Sequence, residues 1–73
     1  MPRKIRQLKA DLRKAGAYQV SQEGSHTKWS HRLVPASTLI LSGHDGDDAK
    51  RYQEKAVRDL LGQIAKAKRS AES

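Results

Sequence analysis

Gly24, Ser25 and His26 stand together between two short alternating segments. A histidine displayed on a tight turn can take or give a proton near neutral pH, and a chain of net charge +7 supplies a surface that attracts phosphodiesters. That pairing points to RNA. Cleaving RNA without a metal needs a base for the 2′-hydroxyl proton, an acid for the 5′-oxygen and positive charge beside the developing phosphorane. His26 is the candidate for proton transfer, against the plainer reading of a surface histidine in a hairpin. Ser25 is a nearby donor, and Lys28, two residues on, can contact a phosphate if it shares that neighbourhood. His31 and His44 are the candidates for a second proton carrier. His31 lies on the same alternating face as Trp29, where a hydrogen-bonded structural histidine is the competing reading. His44 ends a third apolar segment, where a bend would turn it toward the hairpin or leave it as a capping or exposed residue.

Other chemistries find little here. Asp45, Asp47 and Asp48 share one loop but lack the glycine and distal glutamate of a calcium loop, so capping of the following helix explains them better. The three histidines are too widely spaced for a zinc signature. No glycine-rich phosphate loop or Ser-His-Asp pattern is present, and neither a metal nor a cofactor is expected.

These residues need a scaffold. Ile5, Leu8, Leu12 and Ala15 recur with helical period, and Gly16 is placed to stop that helix. From Ala17 the period becomes two: Tyr18 and Val20 alternate with Gln19 and Ser21, and Thr27, Trp29 and His31 alternate with Lys28, Ser30 and Arg32 after a Glu23-Gly24 turn. Tyr18, Val20 and Trp29 read as core, with base stacking by Trp29 the lesser alternative. Pro35 marks a turn, and Thr38 to Leu41 read as a third strand covered by helices. A long second helix carries Tyr52, Ala56, Val57, Leu60, Leu61 and Ile64 as its apolar stripe. Two helices flanking three strands imply an α+β fold, a three-stranded antiparallel sheet with both helices on one face. One domain is expected over 1–73, with a core of about 4–66 and a polar tail over 68–73.

At 73 residues with 36% hydrophobic content, no Phe and no Cys, the core must be thin. Only about 60% of the unfolded surface can be buried at this size. No apolar run suits a membrane span or a signal peptide, so a cytoplasmic protein is expected. Residues 1–32 hold eight Lys or Arg against two acids, net +6, whereas residues 33–73 hold seven against six, net +1. The first helix and hairpin should therefore face the polyanion, through Lys4, Lys9, Arg13, Lys14, Lys28 and Arg32.

The Gly24-Ser25-His26 turn, followed by aromatic Trp29 and then His31, with a basic amphipathic helix before it, resembles the HicA family of small toxins from bacterial toxin-antitoxin pairs. The resemblance spans roughly residues 4–61. It implies a double-stranded-RNA-binding-domain-like α-β-β-β-α fold, ribosome-independent messenger RNA interferase activity with His26 in the place of the family's catalytic histidine, and a HicB-like antitoxin as partner. The chain departs from the family after its third strand, where Ser42-Gly43-His44 and the acidic loop replace a Pro-His and Gly-Thr-Leu opening, and its second helix runs on into a basic tail. Two other readings keep the fold without the chemistry. One is a noncatalytic double-stranded-RNA-binding module touching phosphates through Lys50, Arg51 and Lys55; the other is an adaptor whose basic tail docks an acidic partner.

Overall fold

The computed structural model describes residues 3–72. In chain order it has a helix over Ile5–Lys14 (α1), strands over Tyr18–Glu23 (β1), His26–Ser30 (β2) and Leu39–Ser42 (β3), and a helix over Arg51–Glu72 (α2). The three strands form one antiparallel sheet in the order β1-β2-β3. Both helices cover the same face, where Ile5, Leu8 and Leu12 of α1 and Val57, Leu60 and Ile64 of α2 pack with Trp29 and Leu41. The α-β-β-β-α architecture expected from the sequence is the one the chain adopts.

α1 closes at its C-terminus as its residues predict. Gly16 has φ +94°, the Ala17 amide donates to the Leu12 carbonyl and the Gly16 amide to that of Arg13. This pair of bonds is a Schellman motif, which needs a residue without Cβ at the left-handed position. The N-terminus closes differently. The Ile5 and Arg6 amides donate to the carbonyls of Asp47 and Asp45, far along the chain, and the Gln7 side chain accepts from the Lys4 amide.

The acidic loop thus caps α1 with its backbone and not α2 with its carboxylates. Asp45 and Asp48 take Lys9 and Lys4 of the first helix region as ion partners, and the Asp47 carboxylate accepts from the His44 amide. α2 is opened instead by Gln53, whose Oε1 accepts from the Lys50 amide at 2.8 Å. This corrects the helix-capping expectation for the three aspartates: the loop folds toward the basic helix, where opposite charges meet.

Alternation along β2 and β3 sorts the sheet into two faces. Thr27, Trp29 and Leu41 are buried beneath the helices, and the Trp29 indole donates to Thr27 Oγ1 at 2.9 Å. His26, Lys28 and Ile40 point to the open face. Ile40 is therefore exposed, and β3 is covered on one side only. Tyr18 and Val20, expected in the core, are about half exposed. The turn sets Glu23 opposite His26 and Val20 is the extra residue of a bulge, so Tyr18 stands opposite Ser30 and not beside Trp29. On α2, Tyr52 is exposed and Gln53 takes the buried position. The helix continues through the expected tail to Glu72, and Lys68 reaches back to donate to the Ala15 carbonyl.

Candidate functional site

Gly24 has φ +60° and Ser25 has no positive φ, the sign pattern of a type II′ hairpin turn. Two residues therefore connect β1 to β2, and His26 becomes the first residue of β2 rather than part of a loose loop. Its register partner on β3 is Ser42. The Ser42 hydroxyl lies 3.1 Å from His26 Nδ1, so the ring is held while its Nε2 edge is left to solvent. When Nδ1–H donates to Ser42, Nε2 carries the lone pair of a base, and once Nε2 has taken a proton the imidazolium keeps the same Nδ1–H bond. One hydrogen bond serves both halves of an acid/base cycle.

Ser42 is itself anchored. Its carbonyl accepts from Gln53 Nε2 at 2.9 Å, and next to it the Gly43 amide donates to the Ser25 carbonyl at 3.2 Å. The hairpin turn, the end of β3 and the start of α2 are thereby tied at one point. Lys28 lies on the open face with His26, two residues along the same strand. Beside Ser42, a shallow cavity of about 220 Å³ is bordered by Lys50 and the exposed ring of Tyr52.

The other side of the same turn holds a cleft of about 390 Å³, bordered by Lys9, Arg13, Ser25, His44 and Asp45. Lys9 Nζ donates to Asp45 at 2.7 Å, and that bond together with the Lys9 charge, aided by Arg13 and Arg6, holds the Asp45 carboxyl below the usual carboxylate range. The Arg13 guanidinium also lies 5.2 Å from the centre of the buried Trp29 ring. Trp29 is 0% exposed, so it packs the core and presents no face to a base.

The sequence-derived residues thus divide into groups. His26 and Lys28 share the open face; Ser25, His44, Lys9 and Arg13 share the cleft behind it. His31 is elsewhere and buried: its Nδ1 accepts from the Leu33 amide at 3.0 Å, so Nε2 carries the hydrogen and donates to the Ala15 carbonyl at 3.1 Å. Lys4 is paired with Asp48 at the start of α1, and Lys14 and Arg32 are exposed but border neither cavity. Ser42 and Gln53 escaped sequence reasoning, because a cross-strand partner and a helix-start glutamine gain meaning only once the register is known. Among the described residues no three His, Cys, Asp or Glu side chains gather as a metal-holding group, and no helix is long and apolar enough to cross a membrane.

A family model described as HicA toxin of bacterial toxin-antitoxin matches residues 5–66. No curated protein and no solved structure matches the chain.

Proposed function

The chain belongs to the HicA toxin family of bacterial toxin–antitoxin systems, and from that premise we propose that it is a messenger RNA interferase whose proton-transfer residue is His26. The observation that carries this reading is an exposed imidazole at the end of β2, held through Nδ1 by Ser42 and leaving Nε2 outward. In the proposed reaction Nε2 takes the proton of a ribose 2′-hydroxyl as O2′ bonds to phosphorus. The P–O5′ bond then breaks, and the proton returns from the imidazolium to the departing 5′-oxygen, directly or through water. The products are a 2′,3′-cyclic phosphate and a 5′-hydroxyl. Lys28, on the same face, offsets charge on the phosphorane oxygens.

The antitoxin that the family implies is proposed to be HicB-like and to cover His26. The open sheet face supports this: Tyr18, Val20 and Ile40 are exposed there or along its edge strand, beside Lys28 in a chain of net charge +7. An acidic partner with apolar anchors fits such a surface.

Incubation of purified protein with a single-stranded messenger RNA fragment tests the reading. Wild-type protein is expected to release fragments ending in cyclic phosphate, in buffer with or without chelator, and His26→Ala to release them at least about a hundredfold more slowly while remaining folded. Salt-dependent RNA binding without cleavage would replace the reading with the noncatalytic RNA-binding module.

A further inference from the structure

We propose that the cleft between α1 and the hairpin turn is a nucleotide subsite, which takes the RNA residue flanking the cut and in which Asp45 holds the place of its phosphate. The inference rests on the RNase reading and deepens it.

Neighbouring residues of a strand point to opposite faces. Thr27 borders the cleft from β2 while its neighbour His26 faces the other way, and Gly43 borders both this cleft and the smaller cavity beside Ser42. A single strand crossing the end of β2 and β3 therefore meets the cleft on one side of the turn and His26 on the other. Its volume of about 390 Å³ falls within the range of small-ligand pockets.

The cleft already contains an anion. The Asp45 carboxylate sits on Lys9 with Arg13 and Arg6 near enough to favour its charge, and Lys9 keeps only 13% of its side chain exposed while Asp45 keeps 66%. The cation is thus built into the wall and the anion is the loosely held member. A backbone phosphate carries the same charge to the same donors, and an exposed carboxylate is displaced at low cost.

β1 lines the same cleft with Gln19 and Gln22, whose amides bond each other at 3.4 Å, with Gln22 Nε2 donating to the Gly24 carbonyl at 3.1 Å. Side-chain amides carry both donors and acceptors and suit the edges of an unpaired base. Cations from α1 and amides from β1 match a nucleotide, phosphate to Lys9 and Arg13, base to Gln19 and Gln22.

The test uses the full chain carrying His26→Ala, titrated with rA4, rU4 and rC4 while the side-chain amide resonances are followed by NMR. The Gln19 and Gln22 amides are expected to shift, and affinity to differ among the three oligonucleotides. Adding Asp45→Asn is expected to tighten binding about two- to fivefold, the size of an exposed ion pair, whereas Asp59→Asn on α2 makes the same charge change without that gain. Replacing Gln19 and Gln22 together by Ala is expected to level the three affinities to within about twofold, the shift left by an exposed contact. RNA binding that moves the Lys28 amide but not the glutamines, or an Asp45→Asn protein that binds no tighter than Asp59→Asn, overturns the subsite and leaves the RNase reading standing. No binding of any oligonucleotide, together with no cleavage by the wild type, overturns both.

Discussion

His26 and Ser42 are register partners on β2 and β3, with ring nitrogen and hydroxyl 3.1 Å apart. If this contact orients the imidazole, the two side chains must fail differently when removed. His26→Ala is expected to lower the cleavage rate by a factor of about 10² to 10⁴, the span of general acid/base catalysis. Ser42→Ala keeps the ring but frees it to rotate, and a loss nearer tenfold is expected. Both replace partly or fully exposed side chains, so unfolding curves should shift by about 0.5 kcal/mol or less. A Ser42→Ala protein with the wild-type rate would show the contact to be incidental.

His31 bridges the end of β2 to the C-terminal turn of α1, and both its ring nitrogens are used in doing so. His31→Ala leaves the Leu33 amide without its acceptor and opens space beside Gly16 at the C-terminal turn of α1, two defects of the kind that cost about 1–3 kcal/mol each. Thermal unfolding is expected lower by about 10 °C or more. Cleavage per folded molecule, measured well below the new midpoint, should be unchanged; a rate that falls tenfold or more would mark His31 as a proton carrier after all.

Gly16 carries two constraints at one position. Its φ of +94° disfavours any side chain, and an added Cβ would lie 3.1 Å from His31 Nε2. Gly16→Ala is therefore expected to destabilise by about 1–3 kcal/mol, as strained left-handed positions do. Gly62→Ala in the middle of α2, where a Cβ meets nothing, is the matched comparison and should stabilise slightly, by about 0.5–1 kcal/mol. Chemical denaturation of the two proteins measures the contrast.

The Asp45 carboxyl titrates below the ordinary range because Lys9 donates to it and adds positive charge, with Arg13 and Arg6 behind. A group with a depressed folded-state pKa contributes stability above its unfolded pKa and loses it as pH falls through the folded value. The contribution of the Lys9–Asp45 pair is thus fully present at neutral pH and disappears in acid. Carboxyl NMR titration should find Asp45 low in the wild type and back near the usual range in Lys9→Gln. Equal values in the two proteins would remove Lys9 as the cause.

Co-expression with a HicB-like antitoxin is expected to restore growth, and the purified pair should melt higher than the toxin alone, since a partner that binds only the folded state raises its apparent stability. Lys28→Glu on the open face should weaken the pair while leaving the toxin folded. Unchanged affinity in that variant would move the antitoxin to another surface.

The elements and their order were readable from periodicity, because Ile5, Leu8 and Leu12 repeat as a helix face and Thr27, Trp29 and Leu41 as strand positions with no competing pattern. Tyr18, Val20 and Tyr52 misled for a common reason: an aromatic or branched residue at the right period reads as core, but the hairpin register and the helix phase decide which side it faces. Within the site, the motif drew attention to His26, whereas Ser42 and Gln53 depend on contacts between distant segments. The ion pairs of Lys4 and Lys9 were hidden for the same cause, since an acidic loop some forty residues away in sequence reveals no partner until the chain has folded.

The amides at the start of α1 find their acceptors in the carbonyls of Asp45 and Asp47. That wiring has a temporal side. A ribosome adding 5–20 residues per second delivers those carbonyls about 2–8 s after the helix they close, counted over about 40 residues. During that interval the first helix is short, basic and without acceptors for its Ile5 and Arg6 amides, below the length at which isolated helices hold together in water. Ser42 and the rest of β3 also arrive late, so the nascent chain carries its histidine for seconds without the strand that orients it. The oriented imidazole is thus a product of the later-made segments, and His26 alone does not carry it.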